Sequence, residues 1–247
     1  MRQLLPTPID DPSDDQLLQA YAAVARPFVR FNFVSSLDGS AQLEGRSAAL
    51  GSAADRRAFA LQRRLADVIL VGAGTVHAEG YSGPLVSEED QQWRREHGRS
   101  AHPVLAIVSR SLSIEPDAEV LRESPAEVLL FTTAAPDAAQ RAAYPEHVQI
   151  CRVPESGGGC DPEAIVQQLA DRGFGFIHAE GGPRIFGQFS AANQVDSLCL
   201  SFSPRIVAGD GARIANDPRE AVHEMQLNAL FEEDSMLLAD YRRREVR

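Results

Sequence analysis

The chain has 247 residues, and its 44% hydrophobic content is enough for a buried core in one large domain or two small ones. A formal net charge of -11 excludes a general nucleic-acid-binding surface, because such affinity depends on clustered positive charge. All 24 basic residues are arginines, which excludes both a Schiff-base lysine and a P-loop lysine. We therefore expect any bound phosphate to belong to a small molecule.

The three cysteines, Cys151, Cys160 and Cys199, are widely spaced and form no Cys-x-x-Cys pair. This pattern favours neither a disulfide framework nor a zinc site. The sequence has no charged-then-apolar leader and no apolar run near the roughly 20 residues that a membrane span requires. We expect a cytoplasmic protein with no metal, no nucleic-acid partner and no membrane contact.

Residues 1–26 are rich in proline and aspartate, and we interpret them as an N-terminal arm with one amphipathic helix at 16–24. Residues 27–247 are expected to form a single domain. The first strand is predicted at 28–34, where apolar and polar residues alternate, and it ends in a Ser-Leu-Asp-Gly turn at 36–39.

Ser52 is a favourable N-cap, and the apolar residues that follow it keep helical spacing as far as residue 65. Residues 67–71 then predict a buried strand that leads into Gly-Ala-Gly-Thr-Val at 72–76, interpreted as a glycine-rich turn. The polar stretch that follows predicts a charged helix at 88–97, docked onto the body by Trp93.

The second half of the chain continues to alternate strands with helices. Further strands are predicted at 103–108, 127–132, 148–153 and 174–179, with helices at 137–143 and 161–172. The tail predicts a strand at 195–203 and a hairpin formed by 221–231 and 235–242. The pattern indicates an α/β fold with a mainly parallel central sheet, helices on both faces and an antiparallel hairpin at one edge.

The strand predicted at 174–179 stops at Glu-Gly-Gly-Pro, residues 180–183, directly before a predicted helix. Glycines let a backbone approach a ligand closely, proline is favoured in the first helical turn, and a helix N-terminus offers unpaired N–H groups. The stretch therefore predicts a phosphate-binding turn. The turn at 72–76 follows the same pattern of a strand ending in glycines.

Three segments in a fixed order identify a family. They are Arg-Pro-Phe at 26–28 with the Ser-Leu-Asp-Gly turn, Leu-Ala-Asp-Val-Ile-Leu-Val-Gly-Ala-Gly-Thr-Val at 65–76, and Glu-Gly-Gly-Pro followed by Val-Asp at 195–196. Together they resemble the bacterial riboflavin-biosynthesis reductase domain, the C-terminal domain of the bifunctional deaminase-reductase, which has a dihydrofolate-reductase-like fold. The resemblance spans about residues 26 to 242 and implies a free-standing domain.

Members of that family use NADPH to reduce 5-amino-6-(5-phosphoribosylamino)uracil or a diaminopyrimidinone analogue, with hydride transfer to the ribosyl C1′. The resemblance places the cofactor pyrophosphate at the turn 181–183. In addition, a Ser-Arg-Ser turn after a strand, at 109–111, offers hydroxyls and a guanidinium to a 2′-phosphate, which favours NADPH over NADH. The cofactor-binding residues expected are Gly72, Gly74, Thr75, Glu79, Ser109, Arg110, Ser111, Gly181, Gly182, Pro183, Arg184 and Ile185.

On the substrate side the resemblance implicates Asp38, Ser47, Arg63 and Glu180, with Asp38 and Glu180 as the catalytic residues. Glu180 would hydrogen-bond the substrate, and Asp38 would orient the ring or act as an acid. The alternative for both carboxylates is a turn-capping role. Arg63 would contact the ribose phosphate or lie on a solvated helix face. No metal is required.

Two departures from the family leave the substrate open: Ser40 replaces a basic residue, and residues 78–81 replace an Asp-Asp-Pro segment. One alternative is a dihydrofolate or dihydropterin reductase analogue, and another is a nucleotide-binding regulatory protein without turnover. His178 and Glu180 imitate the His-x-Glu of zinc deaminases, but the Pro-Cys-x-x-Cys partner is absent, so His178 is expected to pack at the strand end. The resemblance also implies a homodimer.

Overall fold

An eleven-stranded sheet organises the molecule, with the order β2-β1-β12-β13-β11-β3-β10-β4-β5-β6-β7. The computed structural model describes residues 1–23 and 25–244. The strands are β1 Arg2–Leu5, β2 Ile9–Asp10, β3 Phe28–Ser36, β4 Val68–Gly72, β5 Val104–Val108, β6 Val128–Thr132, β7 Val148–Arg152, β8 Glu155–Ser156, β9 Gly159–Cys160, β10 Phe176–Ala179, β11 Ser197–Ser203, β12 Met225–Glu233 and β13 Met236–Arg243. The helices are α1 Asp14–Tyr21, α2 Ala53–Leu65, α3 Ala73–Glu79, α4 Glu88–Glu96, α5 Glu119–Arg122, α6 Ala138–Ala142, α7 Pro162–Asp171 and α8 Pro183–Ala191.

The strands from β11 to β7 in this order pair in parallel, whereas β13, β12, β1 and β2 continue the sheet antiparallel. Every residue of β4, β5 and β6 is buried, as expected for strands covered on both faces. The predicted fold class, a mainly parallel sheet with an antiparallel C-terminal hairpin, is confirmed.

The hairpin of β12 and β13 does not form the outermost edge, because β1 pairs with β12 and β2 pairs with β1. The two N-terminal strands were not anticipated. Helix α1, which begins with a capping box at Ser13, packs Leu17, Leu18 and Tyr21 into the core over the sheet. The C-terminal end of the predicted helix at 16–24 falls on Val24, which lies outside the described residues.

Helix α2 begins as predicted, with the Ser52 hydroxyl accepting the backbone N–H of Asp55 at 3.2 Å. Helix α4 docks beside the end of α2. Trp93 packs against the core there, and the buried Arg94 donates from Nη1 to the carbonyls of Arg64 and Ala66 at 3.0 and 2.6 Å. The guanidinium thereby satisfies carbonyls that a helix end leaves without partners.

Strand β10 lies between β3 and β4, so the carboxyl ends of β3, β10, β4 and β5 meet at one edge of the sheet. In open α/β sheets this edge is where ligands bind. The predicted glycine turn at 72–76 is instead the start of helix α3, with Gly72 as its N-cap. Both glycine segments therefore precede helices at the same edge.

Candidate functional site

A cavity of about 840 Å³ opens at the carboxyl ends of these strands. Every residue predicted for the site lines this cavity except Asp38 and Gly181. The predicted residues that line it are Ser47, Arg63, Gly72, Gly74, Thr75, Glu79, Ser109, Arg110, Ser111, Glu180, Gly182, Pro183, Arg184 and Ile185.

The two glycine segments lie directly against each other. The backbone N–H of Gly72 donates to the carbonyl of Gly181 at 2.8 Å. A Cβ added at Gly72 would lie 2.9 Å from Ile185 Cγ1, and one added at Gly182 would lie 2.7 Å from Thr75 Oγ1. Side chains would force these segments apart, which explains why glycine occupies both positions. Gly181, at φ +98°, is buried against Phe33.

The wall at this end of the cavity has the form of an anion cradle. Gly74 lines the cavity, and a Cβ there would have no heavy atom within 4 Å, so the space over its backbone is open. Helix α8 points its N-terminus into the cavity. Its N-cap, Gly182, has no side chain that could accept a hydrogen bond from the first turn. Helix geometry leaves the N–H groups of Arg184 and Ile185 without intrahelical acceptors and partly positive. These features fit a dinucleotide pyrophosphate.

The Ser-Arg-Ser turn follows β5 at the far side of this cradle. The Ser109 hydroxyl is buried and accepts the backbone N–H of Ser113 at 2.8 Å, so it shapes the turn. The Arg110 carbonyl accepts the Thr132 hydroxyl at 2.8 Å, which fixes the backbone. Arg110 and Ser111 are exposed at the cavity, where their side chains are free to meet an anion.

At the other end of the cavity, Glu180 is the centre of a buried cluster. Arg63 grips it bidentately, with Nε donating to Oε1 at 2.6 Å and Nη2 donating to Oε2 at 2.7 Å. The Tyr81 hydroxyl donates to Oε2 at 2.5 Å. Arg63 also stacks over the Phe59 ring, 4.4 Å from its centroid, which adds a cation–π contact.

Burial alone would raise the pKa of Glu180, but the adjacent Arg63 guanidinium outweighs it and holds that pKa below its usual value. Burial and the neighbouring Glu180 charge raise the pKa of Tyr81 well above its ordinary value, so the phenol keeps its proton. The cluster therefore consists of a fixed carboxylate, a fixed guanidinium and a neutral phenol. Glu180 acts in it as a hydrogen-bond acceptor.

Ser47 and Glu79 meet at the rim of the cavity. The Glu79 carboxylate accepts the Ser47 backbone N–H at 3.1 Å and its hydroxyl at 2.9 Å. This pair ties the loop before α2 to the end of α3. Both residues are at the cavity as predicted, and their bonds to each other shape its wall.

Asp38 does not join Glu180. Its exposed carboxylate accepts the Ser36 hydroxyl at 2.5 Å and the backbone N–H groups of Val207 and Ala208 at 3.2 and 2.6 Å. These hydrogen bonds, that from Ser36 foremost, lower the pKa of Asp38 to about 2. The geometry matches the turn-capping alternative, since the carboxylate links two loops outside the cavity lining.

Sequence reasoning missed three side chains that line the cavity near Glu180: Tyr81, Phe59 and Arg56. Tyr81 lies in the segment where the sequence departs from the Asp-Asp-Pro of the family that it resembles, directly after Gly80, whose left-handed backbone ends α3. Phe59 and Arg56 line the cavity with Arg63 from one side of α2. Their i, i+3 and i, i+7 spacing was the one available signal.

Among residues 1–23 and 25–244, no group of three or more His, Cys, Asp or Glu side chains is placed to hold a metal ion. In the same part of the chain, no helix is long and apolar enough to cross a membrane. Cys151, Cys160 and Cys199 are buried and unpaired.

Solved structures share this fold. The pyrimidine reductase-like protein of Corynebacterium diphtheriae superposes with a TM-score of 0.73 at 24% identity, covering 90% of this chain and 92% of that one. The riboflavin biosynthesis reductase Rib7 of Saccharomyces cerevisiae gives a TM-score of 0.63 at 17% identity, covering 93% of this chain and 98% of that one.

Sequence comparison finds curated relatives that are named as a pyrimidinone phosphate reductase and as riboflavin biosynthesis proteins. The 2,5-diamino-6-ribosylamino-4(3H)-pyrimidinone 5′-phosphate reductase of Archaeoglobus fulgidus is 25% identical over 186 residues, covering 74% of this chain and 83% of that protein. The riboflavin biosynthesis protein RibD of Bacillus amyloliquefaciens is 27% identical over 192 residues, covering 74% of this chain and 47% of that protein, so the chain spans about half its length. A family model described as the RibD C-terminal domain matches residues 27–235. The resemblance drawn from the three motifs is thus confirmed, and the chain belongs to the RibD C-terminal domain family.

Proposed function

We propose that this protein is an NADPH-dependent reductase of a phosphorylated ribosylaminopyrimidine in riboflavin biosynthesis. Its reductase character agrees with the names of its curated relatives. One observation carries the proposal: a single cavity has an anion cradle at one end and the buried cluster of Glu180, Arg63 and Tyr81 at the other. Such a cavity accommodates a dinucleotide and a polar heterocycle side by side.

The cofactor assignment follows the shape of the cradle. Gly74 leaves room for the pyrophosphate, and the N-terminus of α8 offers it the N–H groups of Arg184 and Ile185. We assign the 2′-phosphate to Arg110 and Ser111, because a guanidinium recognises a phosphate through charge-assisted hydrogen bonds. These contacts would favour NADPH over NADH.

The substrate assignment follows one face of α2. The Arg63 guanidinium is engaged, since Nε and Nη2 bind Glu180 and Nη1 donates to the Leu85 carbonyl at 2.9 Å. Arg56 is exposed on the cavity wall seven residues earlier, about 10 Å away along the helix at 1.5 Å per residue. We therefore assign the substrate phosphate to Arg56 and the heterocycle to Glu180 and the face of Phe59.

The proposed reduction needs few groups from the protein itself. Ring opening of the ribosylamine gives an imine, and reduction adds a hydride to C1′ and a proton to nitrogen, the hydride being supplied by NADPH when bound. Glu180 would accept a hydrogen bond from an N–H group of the substrate, because Arg63 and Tyr81 keep its carboxylate charged and oriented. Alignment of the reacting groups is then the main contribution of the chain.

The test is oxidation of NADPH by purified protein, with 5-amino-6-(5-phosphoribosylamino)uracil and its diaminopyrimidinone analogue as parallel substrates. Turnover of either one supports the proposal. Turnover of dihydrofolate or a dihydropterin instead would indicate the pterin reductase alternative. Tight NADPH binding without turnover of any of these substrates would indicate the regulatory alternative.

Homodimer formation and a cytoplasmic location stay predictions. Light scattering coupled to gel filtration tests the first of these: a monomer mass at micromolar concentration contradicts it.

A further inference from the structure

His178 is a polar side chain at a position in the buried core. It lies on β10, the strand between β3 and β4, and it is fully buried. Its ring meets the Phe59 ring edge to face at a centroid distance of 5.7 Å. In the described part of the chain, neither ring nitrogen has a hydrogen-bond partner within normal distance. An apolar side chain would fill this core position without leaving two polar atoms unpaired.

One acceptor lies within reach of the ring. His178 and Glu180 are two residues apart on an extended chain, so their side chains leave the backbone on the same side. His178 Nε2 is 3.6 Å from Glu180 Oε1, about 0.6 Å beyond an ordinary N–H···O hydrogen bond. Oε1 accepts one bond from Arg63, whereas Oε2 accepts two, from Arg63 and Tyr81. Since each carboxylate oxygen can accept two bonds, Oε1 has a free acceptor position.

The surrounding charges decide which form of the imidazole is present. Burial chiefly lowers the pKa of His178, Glu180 raises it, and Arg63 on α2 and Arg30 on β3 lower it; together these effects bring the pKa to about 4. The ring is therefore neutral near pH 7. A neutral imidazole carries one N–H, and the choice of nitrogen is set by the acceptor it meets.

We propose that His178 is a positioning residue for Glu180: it is the neutral Nε2–H tautomer and donates to Glu180 Oε1. The carboxylate is then held by donors on three separate elements, namely Arg63 on α2, Tyr81 after α3 and His178 on β10. Because each donor favours the ionised form, the set keeps Glu180 a fixed anion and prevents its rotation. His178 orients the carboxylate without contacting the substrate itself.

The tautomer is measured directly on the wild-type protein by long-range proton–nitrogen NMR of the histidine rings. The signals of His178 are identified by their loss in His178→Gln. We expect a protonated Nε2, an unprotonated Nδ1 and no change between pH 6 and pH 8. A protonated Nδ1 or a doubly protonated ring would overturn the proposal. This measurement needs no substrate, so it stands apart from the proposed function.

The kinetic arm rests on the proposed function and compares two substitutions. His178→Gln keeps an N–H donor and should retain kcat within about threefold, whereas His178→Leu should lower kcat about tenfold or more, as expected for a lost bond to a charged group. Removing a donor raises the pKa of Glu180, so in His178→Leu activity should be lost at a higher pH on the acid side. Binding of NADPH should be equal in both variants, which also verifies folding.

Equal kcat values for the two variants, with an unshifted pH profile, would contradict positioning. If His178→Leu does not fold, the proposal is tested by the tautomer of His178 in the wild-type protein and by the pH profile of activity of His178→Gln. If the wild-type protein turns over no pyrimidine, the proposed function fails, while the NMR result still decides the role of His178.

Discussion

The two ends of the cavity differ in what forms their walls, backbone at one end and polar side chains at the other. At the end proposed to bind the cofactor, the wall is formed by backbone that carries no side chains: Gly72, Gly74 and Gly182 leave the N-terminus of α8 accessible. At the end proposed to bind the substrate, charged and polar side chains form the wall, with the buried Glu180 bound by the partly buried Arg63 and Tyr81. We therefore expect added side-chain atoms to disrupt the glycine-lined end, and removed charges to disrupt the end around Glu180.

The largest effect is expected from Glu180→Gln. Loss of the carboxylate leaves the largely buried Arg63 without its counter-charge, which should lower the free energy of unfolding by about 3 kcal/mol. Loss of an oriented charge at the reacting end should lower kcat/KM about 100-fold or more. Urea denaturation and NADPH oxidation with the pyrimidine substrate measure the two effects.

The matched control is the double variant Glu180→Gln with Arg63→Gln. Because it removes both charges, it should recover most of the lost stability but none of the activity. Equal stability of the single variant and the wild-type protein would show that the pair is not the buried unit described above.

At the cofactor end, a methyl group at Gly182 would collide with Thr75, while one at Gly74 would enter open cavity. Gly182→Ala should therefore weaken NADPH binding about 50-fold and also destabilise the fold, as overpacking does. Gly74→Ala should keep or raise stability by up to about 1 kcal/mol, since alanine favours a helix, yet still weaken NADPH binding. Titration of NADPH and thermal unfolding separate the two outcomes. Unchanged NADPH affinity in Gly74→Ala would mean that the dinucleotide does not pass over this backbone.

The same contrast explains what could be predicted from sequence. The glycine segments and the turn at 109–111 are local patterns, each a strand followed by special residues, and all of them lie at the cavity. Most strands and helices were also predicted, because their apolar spacing is local. Among the exceptions are the two N-terminal strands, because β1 pairs with β12 from the opposite end of the chain and β2 pairs with β1.

The cluster around Glu180 was only partly predictable. Tyr81 reaches Glu180 because Gly80 turns the chain after α3, and no periodicity encodes that contact. Asp38 shows the opposite difficulty, because its hydrogen bonds match the turn-capping alternative while its catalytic role stays a prediction. A carboxylate at a strand end resembles a catalytic group in sequence, but the loop at 207–208 that it binds comes from far along the chain.

A smaller effect is expected from Arg110→Gln. Removing the guanidinium should raise the Kd for NADPH about tenfold, because a charge-assisted bond to phosphate is lost, and should leave the Kd for NADH unchanged. Fluorescence titration with both cofactors measures the ratio, and Arg184→Gln is the matched control at the pyrophosphate end. An equal loss of affinity for NADPH and NADH in Arg110→Gln would show that the 2′-phosphate does not bind at Arg110.

The smallest effect is expected from Asp38→Asn. Because hydrogen bonds lower the pKa of Asp38 from 3.8 to about 2, the ionised carboxylate stabilises the folded state above pH 4. That contribution should disappear as the pH falls from about 4 to about 2. Wild-type protein and Asp38→Asn should therefore differ in stability at neutral pH and converge in acid, as urea denaturation across this range would reveal.

Activity is where Asp38→Asn separates the two roles considered for this residue. If the carboxylate only caps the loop at 207–208, kcat should stay within about twofold of wild type, because an amide oxygen still accepts one of the backbone bonds. A large fall in kcat with unchanged stability would instead place Asp38 in the chemistry. The substrate site would then include Asp38 as well as Glu180, Arg63 and Tyr81, and the turn at 36–39 would have to move toward the cavity.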